Sequence, residues 1–360
     1  MERRQFIQSA LFATSALTLP VFSYGKTFGR IQRKLGVALV GLGSYSTYQL
    51  APALEMTKHC YLAGIVTGTP SKAQVWQKKY GIPDANIYNY ENFKNIADNP
   101  DIDVVYVVLP NSMHAEFSVK AAYAGKHVWC EKPMALNVQE CEEIIEACAL
   151  NRVKLCIGYR MQHEPNTRQI REFVRNDNYG SLQVIDASAG YFDGRSGHWR
   201  LDKSMGGGAM YDMGVYPINN ARFISGQEPV SVMAYKSAFR PNKFHEVDET
   251  MNFILEFPNG LMANCATSLG INYNRFFLTC SRGHIRLEPF QFYRGLKGST
   301  SDGVQFRDQV QSQQAFQMDH DAMAILENRP VMVPGEEGLK DIKVVEAAFQ
   351  SAEKGIRVKI

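Results

Sequence analysis

The chain has 360 residues, 45% of them hydrophobic and 21% charged, which is enough apolar material for a large core and excludes a disordered protein. Its 39 basic and 36 acidic residues leave a formal charge of +3. No long run of either sign is present, which argues against nucleic acid or an anionic membrane surface as a partner, and the length predicts two domains.

Arg3 and Arg4 precede a run from Phe6 to Phe22 without a charged side chain, and Ser23 and Gly25 offer small residues for cleavage before Lys26. Residues 1–25 therefore read as an export signal of twin-arginine type, the address of a pathway that moves folded proteins to the periplasm or beyond, with 26–34 as an arm. The alternative is an anchor or a buried first helix. Gln8, Ser9, Thr14, Ser15, Thr18 and Pro20 make the run too polar for stable membrane insertion.

From Leu35 to Gly158, short β-branched runs alternate with amphipathic segments. Gly36 to Val40, Tyr61 to Val66, Val104 to Leu109, His127 to Cys130 and Lys154 to Ile157 are predicted strands, continuously apolar as in a sheet buried on both faces. Ser71 to Tyr80, His114 to Ala124 and Val138 to Asn151 are predicted helices between them. Such alternation predicts an α/β domain with a parallel sheet and ligands at the carboxyl ends of its strands. After Gly158 a helix over Pro165 to Arg175 leads into Leu182 to Tyr191, Val230 to Ser237, Thr250 to Phe257, Leu261 to Leu269, Phe276 to Cys280 and His284 to Leu287, with turn signals at Pro258-Asn259-Gly260 and Ser281-Arg282-Gly283. This half, 159–360, reads as an α+β domain with a mainly antiparallel sheet. Gln291 to Gln314 reads as irregular, and helices near Ala315 to Glu327 and Glu337 to Lys354 close the chain. In Thr250 to Phe257, Met251, Phe253 and Leu255 face one way and Asn252, Ile254 and Glu256 the other. Seven cysteines, an odd number without a CxxC pair, predict neither a disulfide framework nor a zinc site, and no metal is expected.

The first predicted strand runs into Gly41-Leu42-Gly43-Ser44-Tyr45-Ser46, a dinucleotide fingerprint with serine in place of the third glycine. Gly41 allows the tight turn, Gly43 the approach of a pyrophosphate, and the following helix offers unpaired amides. The second strand ends in Val66-Thr67-Gly68-Thr69-Pro70-Ser71-Lys72, with no carboxylate to hold an adenosine ribose. Thr67 and Lys72 thus favour NADP over NAD, unless Lys72 is simply a solvated lysine. Cys130-Glu131-Lys132-Pro133 and Pro110-Asn111-Ser112-Met113-His114 follow two more strands, where a nicotinamide would lie. Gly206-Gly207-Gly208 opens a helix carrying Asp212 and Tyr216 four residues apart, although Pro217 weakens it. The alternative reading of that pair is a structural tyrosine bonded to its neighbouring aspartate.

VGLGSYS, LPNSMHAEF, AGKHVWCEKPMA, IGYR, HWRL, GGGAMYDMGVY and PGEEGLKD together resemble the Gfo/Idh/MocA oxidoreductase family, in particular its exported glucose-fructose branch, from about Lys34 onward. The resemblance implies a Rossmann dinucleotide-binding domain followed by a substrate domain. It implies Lys132 and Tyr216 as the catalytic pair with Asp212 in support, and a tightly held NADP touched by Thr67, Lys72, Tyr90, Arg160 and Arg200. With the strand-end motifs, the expected cofactor set is Gly41, Leu42, Gly43, Ser44, Tyr45, Thr67, Lys72, Tyr90, Pro110, Asn111, His114, Glu131, Lys132, Arg160, Trp199 and Arg200. His163, Asp193 and His198, in stretches that depart from the glucose-fructose branch, join Tyr216 as candidate sugar contacts. In the expected chemistry Tyr216 takes the proton of a sugar hydroxyl, with Lys132 as the cation favouring its phenolate. An aldose is oxidised at C1 to the lactone, and the bound NADPH then reduces a second sugar. The rival readings are a nicotinamide-dependent glycosidase and a non-catalytic sugar-binding protein. The resemblance also implies a homodimer or homotetramer built on the open face of the C-terminal sheet.

Overall fold

The computed structural model describes residues 33–360. The export signal, and the arm before Arg33, lie outside the described residues.

The first sheet is formed by β1 (Leu35–Val40), β2 (Cys60–Val66), β3 (Ile87–Tyr88), β4 (Val104–Val107), β5 (His127–Cys130) and β6 (Leu155–Ile157). Every pairing in it is parallel, in the order β3-β2-β1-β4-β5-β6. This is a Rossmann sheet whose strand order reverses between β1 and β4, leaving a crevice there. All six residues of β1 are buried because both faces are covered. On one face, α3 (His114–Tyr123) and α4 (Val138–Leu150) pack Phe117, Ala121, Ile144 and Cys148 against Ala38, Val105 and Val128; α1 (Ala51–Leu54) and α2 (Pro70–Tyr80) serve the other. The second face is completed from the far end of the chain: Ala315, Met318 and Ala322 of the helix Gln313–Leu326 share a core with Val37, Leu39 and Trp129. The polar spacing around that helix gave no hint of its partner.

After α5 (Arg160–His163) and α6 (Pro165–Arg175) the second sheet begins with β7 (Leu182–Gly190). Then come α7 (Val215–Ser225), β8 (Ser231–Ser237), β9 (Thr250–Glu256), β10 (Met262–Ser268), β11 (Tyr273–Cys280), β12 (Gly283–Leu287), β13 (Lys297–Thr300) and β14 (Gln305–Arg307). Helices α8 (Gln313–Leu326) and α9 (Gly335–Lys354) precede a last short strand, β15 (Val358–Lys359). The order is β14-β13-β12-β11-β7-β10-β9-β8-β15, antiparallel throughout except for the parallel pair β7 and β10. Both turn signals join antiparallel neighbours, β9 to β10 and β11 to β12. The alternation in β9 holds, with Met251, Phe253 and Leu255 buried and Ile254 38% exposed on the outer face. The stretch read as irregular is corrected: it contains β13 and β14, short and mostly polar strands, of which β13 pairs with β12 and β14 with β13, and β14 adds the buried Phe306 to the core. Helices α7 and α9 cover the inner face.

All seven cysteines are buried and unpaired. No helix among the described residues is long and apolar enough to cross a membrane. No cluster of three or more His, Cys, Asp or Glu among them is arranged to hold a metal.

Candidate active site

The crevice between β1 and β4 is floored by the glycine-rich turn. Gly41 has φ +95°, and a Cβ there would lie 2.5 Å from the Val108 carbonyl, so both conformation and space demand glycine. A Cβ on Gly43 would meet nothing within 4 Å, the open approach a pyrophosphate needs. Ser46 fills the third-glycine position by burying its hydroxyl and donating to the Gly41 carbonyl at 2.6 Å. Leu42 turns its side chain into the core, while Ser44 faces outward. At the end of β2, the Thr67 hydroxyl accepts from the Thr69 amide at 3.2 Å. The Tyr90 ring lies against Gly68, where a Cβ would come within 2.9 Å of it. Lys72 is exposed in the first turn of α2. This cradle suits a nicotinamide dinucleotide, and no acidic side chain stands in Thr67 to Lys72.

Two of the expected cofactor residues carry structural hydrogen bonds. Both ring nitrogens of buried His114 face backbone carbonyls, Pro133 at 2.7 Å and Leu109 at 2.9 Å, so no ring nitrogen remains for a cofactor. Asn111, which follows Pro110, donates to the Gly206 carbonyl at 2.7 Å and ties the two halves of the site together. The triple glycine serves a close approach within the protein. Gly208, at φ +105°, leaves no room for a Cβ beside the Asp248 carboxylate, which accepts from the Met210 amide at 2.8 Å.

Beyond it the helix does not start as a regular α-helix. Pro217 has no N–H to give to Met213, and the chain widens into a π turn over Met210–Gly214 before α7. Asp212 and Tyr216 consequently engage different partners. The Asp212 carboxylate accepts from the Tyr191 hydroxyl and from Arg200 Nε, both at 2.8 Å. Burial opposes its charge, but Arg200 and Lys132 outweigh burial and hold it down to about 2. Lys132 Nζ donates to the Asp212 backbone carbonyl at 2.8 Å and lies 4.6 Å from the centroid of the Tyr216 ring. Burial lowers its proton affinity, with Asp212 and Glu131 opposing. Glu131 stands behind it, accepting from the Tyr106 hydroxyl at 2.7 Å. Burial pushes the Tyr216 hydroxyl up to about 12, with Glu131 and Asp212 adding to the rise and Arg160 working against it. The expected trio thus meets at the carboxyl edge of β5, but Tyr216 is not bonded to Asp212.

Arg160, expected at the cofactor, has its side chain turned into the protein. It is 1% exposed, and its terminal nitrogens are committed to the Gln313 side chain, at 2.7 Å, and to the Gln291 carbonyl. Arg200 is likewise committed through Nε to Asp212, with its guanidinium 4.4 Å over the Trp199 ring. Among the candidate sugar contacts, His163 is corrected. It is fully buried beneath the parallel sheet, against His320 at 3.3 Å and Asp321 at 3.9 Å, because the short α5 turns it inward. Asp193 is buried and occupied by Arg195, which reaches its two carboxylate oxygens at 2.9 and 2.8 Å. His198 accepts from the Arg200 amide at 3.3 Å and flanks the same network.

Sequence reasoning missed four of these residues. Tyr191 reads in sequence only as the end of the strand Leu182 to Tyr191, Arg195 sits in a loop without periodicity, and Tyr293 and Gln313 lie in the stretch read as irregular. The Tyr293 ring lies 5.8 Å from that of Tyr45 in the glycine-rich turn, tilted against it by 36°.

A family model described as "Oxidoreductase family, NAD-binding Rossmann fold" matches residues 35–159, and one described as "GFO/IDH/MocA C-terminal domain" matches 167–286. The chain belongs to the Gfo/Idh/MocA oxidoreductase family. It is a nicotinamide-dependent oxidoreductase by that membership and by its cradle. Among family relatives, the D-xylose 1-dehydrogenase [NADP(+)] of Haloarcula marismortui is 28% identical, with 90% of this chain and 92% of that protein covered. The D-glucoside 3-dehydrogenase of Escherichia coli is 27% identical, over 91% of this chain and 97% of its own. The crystal structure of aldose-aldose oxidoreductase from Caulobacter crescentus, complexed with glycerol, superposes with a TM-score of 0.88 at 40% identity, covering 91% of this chain and all of that one. These three relatives are sugar oxidoreductases of other descriptions than the glucose-fructose branch.

Proposed function

We propose that the protein is an NADP-dependent sugar oxidoreductase that oxidises an aldose at C1 to the lactone and passes the hydride to a second sugar from the same tightly held cofactor. The observation that carries the reading is the placement of Lys132 between the Asp212 carbonyl and the Tyr216 ring, beside the open glycine cradle. The description of the 40% identical relative as an aldose-aldose oxidoreductase supports a sugar on both sides of the reaction. The absence of a carboxylate from Thr67 to Lys72, with an exposed Lys72, supports NADP.

The dinucleotide, when bound, accepts or returns a hydride. Everything else falls to the chain's own side chains. Tyr216 takes the C1 hydroxyl proton as the C–H bond breaks, and gives it back to the carbonyl oxygen of the second sugar. A hydroxyl pushed up to about 12 is in its phenol form at neutral pH, already set for the reducing half. The oxidising half requires the phenolate, so its rate rises with pH until Tyr216 is ionised. Lys132, on the face of the ring, favours that form by its charge, and Asp212 fixes the lysine and the Tyr191–Arg200 wall. A protein that keeps its cofactor needs no external supply, which suits the proposed export through the twin-arginine-type signal.

The experiment is to release cofactor from denatured protein, identify it, and follow the absorbance of the native enzyme as single aldoses are added. NADP recovered in near-stoichiometric amount and reduced by an aldose without added cofactor is the expected result. Recovery of mainly NAD, or release of an aglycone without net reduction, would replace this reading.

A further inference from the structure

Arg160 is a buried cation without an anionic partner in hydrogen-bond contact. Besides a side-chain hydrogen bond to the Tyr216 hydroxyl, its guanidinium meets the Gln313 side chain, the Gln291 carbonyl and the Met161 sulfur, all neutral, and its Nε is buried with no partner. A buried charge is costly unless compensated, so its field falls on whatever ionisable groups surround it. Those groups are Tyr216, Tyr293 and Tyr45, with Glu131 behind them. The guanidinium carbon lies 5.6 Å from the centroid of the Tyr216 ring and 4.7 Å from that of Tyr293, and Tyr293 in turn makes a tilted ring contact with Tyr45. The loop at Gln291 to Tyr293 and the first residue of α8 grip it from the second domain's side, and Gln313 also donates to the Phe292 carbonyl at 3.1 Å.

We propose that Arg160 is the positioning residue that sets the charge of the Tyr216 hydroxyl, held for that task by Gln313 and the Gln291–Tyr293 loop. The inference rests on the reading of Tyr216 as the proton-transfer group. Lys132, expected from sequence to be this cation, lies on the ring face and spends one N–H on the Asp212 carbonyl. The groups facing Tyr216 are Arg160, Lys132, Glu131, Asp212, Tyr45 and Tyr293. Glu131 and Asp212 raise its proton affinity, and Arg160 opposes them. The effect is mutual: burial works against the Arg160 charge, but Tyr216, Tyr293, Tyr45 and Glu131 more than restore it. A guanidinium suits this role because it stays charged when buried, whereas burial drives Lys132 toward its neutral form.

The test is the pH profile of single-turnover reduction of the bound cofactor by an accepted aldose, in wild type, Arg160→Gln, Arg160→Lys, Lys132→Met and Tyr216→Phe. The rising limb should move up by about one pH unit or more in Arg160→Gln and return most of the way in Arg160→Lys. Lys132→Met should lower the rate with a smaller displacement of the limb. Retained cofactor is measured on each sample. An Arg160→Gln enzyme that sheds its cofactor while keeping the wild-type limb would make Arg160 a cofactor ligand and overturn the proposal. Should Arg160→Gln not fold, Gln313→Leu leaves the arginine in place but frees one nitrogen, and its limb should move the same way by less; an unmoved limb there also overturns it. A Tyr216→Phe enzyme of undiminished rate would instead sink the reading of Tyr216 itself.

Discussion

Tyr216 and Asp212 are four residues apart on one helix, yet the aspartate is fully engaged with Tyr191 and Arg200. Removing the Tyr216 hydroxyl therefore leaves no orphaned carboxylate behind. Tyr216→Phe should retain its ring contact with Lys132 and change the unfolding temperature little, with a cost below about 1 kcal/mol. Its rate of cofactor reduction should fall by roughly 10²-fold or more, since proton transfer from the sugar loses its acceptor. Single-turnover kinetics and thermal unfolding on the same sample separate the two effects. A large loss of stability at a normal rate would restore the structural reading of the tyrosine. The corrections at His114 and His163 make the same point at neighbouring positions: a histidine near a strand end is available for chemistry only if its ring nitrogens are not already spent on backbone or turned into the core.

Among the elements, α8 is the one whose placement has the most energetic consequence. Its Asp321 is buried against the parallel sheet, and burial pushes the carboxyl up to about 8, with Gln317 and Cys156 opposing. Burial also lowers nearby His163 to about 3, so at neutral pH the 3.9 Å contact joins two uncharged groups and is not an ion pair. The sign of the linkage follows. Between roughly pH 4, where an unfolded aspartate ionises, and pH 8, the folded state binds the extra proton, so Asp321 makes stability fall as pH rises through that window. Asp321→Asn removes the slope. It should raise the unfolding temperature at pH 7.5, by on the order of 1–3 kcal/mol of stability, and the gain should shrink to nothing as pH is lowered toward about 4. His163 is present in both proteins, so its own opposite slope cancels in the comparison. Equal melting curves at both pH values would place the Asp321 carboxyl in a solvated or compensated setting.

At the scale of the whole molecule, the outer face of the second sheet carries exposed apolar side chains, among them Tyr235 and Ile254. Met233, Tyr235, Ile254 and Ala266 share a shallow depression of about 330 Å³ with Asp186, Asn252, Asn264 and Arg275. Apolar and polar side chains mixed on one open face suit a protein contact, and we propose that the homodimer or homotetramer implied by the resemblance is built on it. Sedimentation at micromolar concentration should show a dimer or tetramer, and Ile254→Arg should shift it to monomer without loss of fold. A wild-type protein that sediments as a monomer would exclude the assembly.

Local patterning by itself determined the two kinds of sheet, the glycine-rich turn and the stretch that carries Lys132. Buried parallel strands need continuous apolar runs, half-exposed antiparallel ones need alternation, and Gly41 is demanded by its own backbone. These are properties of neighbours in the chain. What only the tertiary structure decided is the partner of each polar group. The π turn before Pro217 separated Asp212 from Tyr216, α8 returned from the far end of the chain to close the first sheet and grip Arg160, and Arg195 folded onto Asp193. None of these pairings has a period or a spacing, because each satisfies a buried charge or donor with whatever the packed chain brings within about 3 Å.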